Sequence, residues 1–169
     1  MFRPMRRYTQ QLTHEEAVAL LEKATSGVLA LSGDEGYPYA VPISHVYADG
    51  KLYFHGTKTG HKVDAVTREP KASFCVVAQD EVVPERYTTY FRSAIAFGKI
   101  RILTDDAEKR QALVLLGRKY HPTDSAEGLT KAIDAEFPAT CMMEMTIEHL
   151  TGKEAIELIR EKKAEVPNQ

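Results

Sequence analysis

The chain has no tryptophan, only two cysteines and no excess of basic charge. Cys75 and Cys141 lack CxxC spacing, so neither a disulfide framework nor a zinc site is indicated; two buried, reduced thiols are expected. No stretch approaches the roughly 20 apolar residues that a membrane-spanning helix needs. Met1 to Gln11 carries Arg3, Arg6 and Arg7 with no apolar segment behind them, unlike a secretory signal, so the expected location is the cytoplasm. Lys plus Arg number 22 against 24 Asp plus Glu, a formal net charge of −2. That balance argues against a general nucleic-acid binder, which needs a basic surface. What is present is ordinary for a soluble domain: 169 residues, 43% hydrophobic and 27% charged. One domain is expected over residues 1–169, with a core at 12–150 and a helical tail at 151–169.

Along the chain, Thr13 and Glu16 have capping-box spacing, and Ala17, Val18, Leu20, Leu21 and Ala24 follow at helical intervals. Val28 to Leu31, Tyr37 to Tyr47, Lys51 to Gly56, Lys71 to Gln79, Tyr87 to Leu103 and Cys141 to Leu150 read as six strands. Asp49-Gly50 is a hairpin signal, and Asp80 to Glu85 reads as an acidic, solvated loop. Helices are expected at Gly60 to Arg68, Asp105 to Tyr120, Ala126 to Glu136 and Gly152 to Lys163. Short turns between strands, with helices outside, predict an α+β, mainly β fold: a six-stranded antiparallel barrel.

Two stretches carry candidate chemistry. A two-residue turn at Asp49-Gly50 sets Tyr47 opposite Leu52, Val46 opposite Tyr53, His45 opposite Phe54 and Ser44 opposite His55. Pro42, Ser44 and His55 then share one face, while His45 and Phe54 share the other, which disfavours a metal site using both histidines. Next, His55-Gly56-Thr57-Lys58-Thr59-Gly60-His61-Lys62 joins a strand to a helix start. Free helix amides, glycines and two lysines there make either a physical anion site or a polar, solvated loop. It lacks GxxxxGK[ST] spacing and is no Walker motif. A third stretch, Tyr87 to Gly98, suits a packed strand, with Tyr90, Arg92 and Ser93 able to reach an interface or a planar ligand. No Ser-His-Asp or Cys-His nucleophile arrangement is evident.

The segments GVLALSGDEGYPYAVPISHVY, DGKLYFHGTKTGHKVDAV and TTYFRSAIAFGK resemble the flavin-binding split-barrel superfamily of pyridoxamine 5′-phosphate oxidase-like proteins. The branch related to 5-nitroimidazole resistance proteins is the most similar. The resemblance covers Leu12 to Leu150 and implies a homodimer with FMN at the subunit interface. It implies that Val41, Pro42, Ile43 and Ser44 lie along the flavin ring and ribityl chain. His55, Gly56, Lys58, His61 and Lys62 would hold the phosphate. Ser93, and more weakly Arg92, would approach from the partner subunit. Ser44 and His61 replace basic residues of the true oxidases, whose substrate-binding segments are unrecognisable here, so pyridoxamine 5′-phosphate oxidation stands as the least favoured alternative. The implied activity passes electrons from a reduced nicotinamide through FMN to a small planar acceptor such as a nitroaromatic. The alternative is a non-catalytic flavin or haem binder, with His45, His55, His61 or His149 as axial ligands. No metal site is expected, and neither nucleic acid nor membrane is an expected partner.

Overall fold

The computed structural model of the chain describes residues 1–165; the last residues of the expected tail, 166–169, lie outside the described residues. Local signals set the first elements. Thr13 caps α1 (His14–Lys23): its hydroxyl accepts from the Glu16 amide, and the Glu16 carboxylate accepts from the Thr13 amide. β1 (Ser26–Ser32), a single turn over Asp34–Gly36 and β2 (Pro38–Ser44) follow. Asp49 and Gly50 both take positive φ, 48° and 77°, which a two-residue hairpin turn requires. They join β3 (Val46–Ala48) to β4 (Lys51–Thr57), with Val46 opposite Tyr53 and Tyr47 opposite Leu52 as expected. α2 (His61–Arg68), β5 (Lys71–Val83), β6 (Thr88–Ile102), α3 (Asp106–Tyr120), α4 (Ala126–Glu136), β7 (Thr140–Glu154) and α5 (Ile156–Glu165) complete the order.

The strands form one antiparallel sheet in the order β2-β1-β5-β6-β7-β4-β3. Its two edges, β2 and β3, are separated in the chain by His45 alone. They must therefore come within roughly 7 Å of each other, since consecutive Cα atoms are about 3.8 Å apart. A sheet whose edges meet without pairing is a split barrel, the expected α+β architecture with helices outside. α1 covers the inner side at one end, placing Ala17 and Leu21 in the main core with Leu29, Leu52, Phe54, Phe74 and Met143. Burying each large side chain there contributes about 1.5–3 kcal/mol.

Several expectations need correction. The strand expected over Tyr37 to Tyr47 is two strands, making seven in all rather than six. The break is at His45, which turns into the protein and is fully buried. The β3–β4 ladder accordingly stops at Val46–Tyr53: Ser44 pairs with Ser26 and His55 with Met142, so the expected His45–Phe54 and Ser44–His55 pairs do not form. The faces are as expected, with Phe54 and His45 inside and Pro42 and His55 exposed. The acidic stretch Asp80 to Glu85 is mostly strand. After a bulge at Ala78, Asp80 to Val83 pair with Phe91 to Thr88, leaving a turn at Pro84–Arg86. Both faces of that arm meet solvent at Asp80, Glu81 and Val82, so the sequence shows no alternation there. Finally, Thr151 to Glu154 pair with Ile95 to Arg92, and the tail helix begins at Ile156 rather than Gly152. Cys141 is buried as expected, but Cys75 is only half-buried, on the outer face of β5.

Candidate functional site

The strand-loop-helix step is built as its residues dictate. β4 ends at Thr57, and Gly60 begins α2 with φ 118°, a conformation that suits glycine; no side chain caps the helix. The first helical amides, at His61, Lys62 and Val63, therefore point from an uncapped N-terminus, which favours an anion. Gly56 lies directly beneath: a Cβ added there would stand 3.0 Å from Lys62 Nζ and 3.2 Å from its Cε. The lysine stem thus crosses the backbone where any other residue would crowd it. Burial lowers the Lys62 pKa, and burial together with the Lys62 charge lowers that of His55. Lys58 is exposed. A cavity of about 320 Å³ beside the loop is lined by Lys58, Lys109, Thr140 and Cys141, among others. Burial raises the Cys141 pKa against the opposing charges of Lys109, Lys62 and Lys58.

The remaining candidates fall in three places. Val41 and Ile43 point inward on β2, whereas Pro42 is exposed and Ser44 half-buried on the outer side. His61 is turned to the β1–β2 turn: it stacks on Tyr39 at 4.0 Å and its Nε2 stands 3.4 Å from Asp34 Oδ2. Asp34 is held in turn by Arg68 at 3.0 Å. Ser93 stands on the outer sheet face, between Val77 of β5 and Lys153 of β7. Arg92, one residue earlier, turns to the opposite side and pairs with Glu154. Within one chain, Arg92 and Ser93 are thus separated from each other by the sheet.

The histidines separate too. His45 Nε2 lies 2.8 Å from the Leu21 carbonyl, and His149 is covered by the stacked ring of Phe2 at 4.6 Å. His55 is exposed. Among the described residues no three His, Cys, Asp or Glu side chains could hold one metal ion, and no helix is long and apolar enough to cross a membrane.

The outer face of the sheet carries a row that crosses five strands: Pro42, Val28, Cys75, Ile95 and Thr151 are successive cross-strand partners. Val28 is 39% exposed and Ile95 37%. Sequence reasoning did not find this row, nor Lys23, Gln79 and Glu154 around Arg92, because their spacing along the chain carries no signal.

Several solved structures share this fold. A candidate 5-nitroimidazole antibiotic resistance protein from Bacteroides thetaiotaomicron is 21% identical over 85% of this chain and 86% of its own, with a TM-score of 0.70. An FAD- and haem-binding protein from Mycobacterium smegmatis is 23% identical over 86% of this chain and 73% of its own, at 0.69. An FAD-binding protein from Mesorhizobium loti is 25% identical over 86% of this chain and 97% of its own, at 0.58. No curated protein matches the sequence. The family model described as pyridoxamine 5′-phosphate oxidase matches residues 13–154, a span that runs from the cap of α1 to the last residue of β7 and takes in the Gly56–Lys62 loop. The chain belongs to the pyridoxamine 5′-phosphate oxidase family.

Proposed function

We propose that this protein binds FMN and acts as an oxidoreductase, taking electrons from a reduced nicotinamide and delivering them to a small planar acceptor such as a nitroaromatic. The observation that carries the flavin reading is the uncapped α2 N-terminus above Gly56, flanked by Lys58 and Lys62. Its donor set suits a phosphate: backbone amides, two ammonium groups and a glycine where a side chain would fill the cradle. Membership of the family and the flavin-binding neighbours support the same reading.

Bound FMN would supply the redox chemistry, and the chain supplies placement and electrostatics. Lys58, Lys62 and the α2 amides neutralise and hold the phosphate. The β2 segment Val41, Pro42, Ile43 and Ser44 would lie along the ring and ribityl chain. Ser93 reaches the ring from the partner subunit of a homodimer that closes over the row Val28, Cys75 and Ile95. Burial of that row on dimerisation excludes water from the ring.

The experiment is a pair of titrations. FMN and riboflavin are added to the apoprotein and to Lys58→Ala/Lys62→Ala, and binding is followed by flavin fluorescence. The double variant should lose FMN affinity by about tenfold or more, since a charge-assisted contact contributes about 1.5–3 kcal/mol, while riboflavin binding changes little. Equal weakening of both ligands would place the phosphate elsewhere. Anaerobic reduction by NADH or NADPH, then reoxidation by a nitroimidazole, tests the enzymatic part; a flavin that no donor reduces would leave only a binder. A Soret band without flavin in the purified protein would favour the haem alternative.

A further inference from the structure

A second cationic hollow lies away from the phosphate-type loop. It has a volume of about 430 Å³ and is bounded by the end of α1, the start of β1, the bulge of β5 and Arg92 of β6. Its polar lining is Lys23, Thr25, Ser26, Gln79 and Arg92: two cations and no carboxylate. In a chain of net charge −2 this is a local reversal of sign.

The arginine is held in position. Its Nε donates to Glu154 Oε2 at 3.1 Å, and Glu154 is 3% exposed. The other carboxylate oxygen of Glu154 accepts from Lys162 of α5 at 2.8 Å, so the buried acid is fully committed. Among the described residues, Arg92 Nη1 and Nη2 make no hydrogen bond. A guanidinium fixed through Nε, with its two terminal nitrogens free, is prepared for a bidentate oxyanion. Gln79 donates only a long bond, 3.4 Å, to Glu81. The bulge at Ala78 leaves that residue without a cross-strand partner, and bulges commonly re-aim side chains at sites.

One feature of the fold opposes an anion here, and the structure offsets part of it. The C-terminus of α1 carries a partial negative charge. Carbonyls at and just beyond that end are engaged by other groups: Leu21 O by His45 and Ala24 O by Lys119 at 2.6 Å, while Tyr120 donates to Thr25 O. The hollow therefore meets a helix end at which Leu21 O and Ala24 O are already engaged.

We propose that the hollow lined by Lys23, Gln79 and Arg92 binds a small organic oxyanion, a carboxylate or phosphate ester, with Arg92 as its bidentate anchor. The site is separate from the Gly56–Lys62 loop and stands whether or not that loop holds a flavin. Glu154 and Lys162 are positioning residues: they aim the guanidinium and do not touch the ligand.

The test is an NMR titration of the isotope-labelled protein as purified, with its cofactor, at low constant ionic strength. Benzoate and phenyl phosphate serve as separate probes. Saturable shifts are expected at the amides of Thr25, Ser26, Ala78 and Gln79, and whichever probe binds more tightly identifies the oxyanion class. Arg92→Lys retains a charge beside Glu154 but loses the fork, and should weaken binding about tenfold or more. Lys23→Met, at an exposed position that should not disturb folding, should weaken it several-fold. No saturable shift in the wild type, or shifts confined to Lys58 and Lys62, would overturn the proposal. So would a selective loss of FAD relative to FMN in Arg92→Lys, because the second phosphate of FAD would then be the occupant.

Discussion

The Nε2 of His45 lies 2.8 Å from the carbonyl oxygen of Leu21 and donates to it, so the residue that splits the strand also anchors α1. His45 N donates to the Tyr120 hydroxyl at 3.1 Å, which ties the end of α3 to the same corner. The ring packs on Phe74 at 4.6 Å, while its Nδ1 is buried without a partner. Such a ring resists a second proton. Burial lowers its pKa to about 4, with the Leu21 bond opposing and the Lys119 charge adding to the shift.

That depression makes stability depend on pH. Below the unfolded pKa of about 6.5, the unfolded chain takes a proton that the folded ring refuses. Stability is therefore complete above pH ~6.5 and is lost as pH falls toward ~4, by on the order of 3 kcal/mol for this residue. Urea unfolding at several pH values should show this slope. His45→Gln should be less stable at pH 7 yet show a shallower decline over the same window. An unchanged slope would assign the pH dependence to other groups.

Gly27 allows β1 to lie against the core. A Cβ there would come within 2.3 Å of Phe74 Cζ and 2.5 Å of the Cys75 carbonyl oxygen. Gly27→Ala should cost about 1–3 kcal/mol, as overpacked cores do. Differential scanning calorimetry would measure it. Gly36→Ala, at a turn position with φ 80° and nothing within 4 Å, provides a comparison where the cost is backbone strain alone.

Gly56 makes a related prediction at the flavin loop. Gly56→Val would displace the Lys62 side chain, whose Cε lies 3.2 Å from the added Cβ position. FMN affinity should fall by more than riboflavin affinity, without a comparable loss of thermal stability. If the variant bound FMN as the wild type does, Lys62 would have no part in holding the phosphate.

The outer row predicts assembly. Val28 and Ile95 are both neighbours of Cys75 on an exposed face. Light scattering at micromolar concentration should give twice the 18.9 kDa chain mass. Val28→Glu/Ile95→Glu should give a monomer with weakened flavin binding, because charges in an apolar interface must be desolvated without partners. A double variant that remained dimeric would place the interface on another surface.

The sequence by itself determined what depends on near neighbours. The Thr13–Glu16 cap spans three residues, the Asp49-Gly50 turn imposes its own φ values, and the bounds of α4 coincide with Ala126 and Glu136. The inward placement of Phe54 needed only the period of a strand. Tertiary structure decided what depends on partners far along the chain. The break at His45 follows from bonds to Leu21 and Tyr120, 24 and 75 residues away. Asp80 to Val83 become strand because β6 extends beyond the core to pair with them, although burial gives neither face a pattern. His61 is committed to Asp34, and Arg92 to Glu154 62 residues later, so neither orientation is written in its own segment. Hydrogen bonding and burial select those arrangements only once the sheet has curled and brought its edges together at one buried histidine.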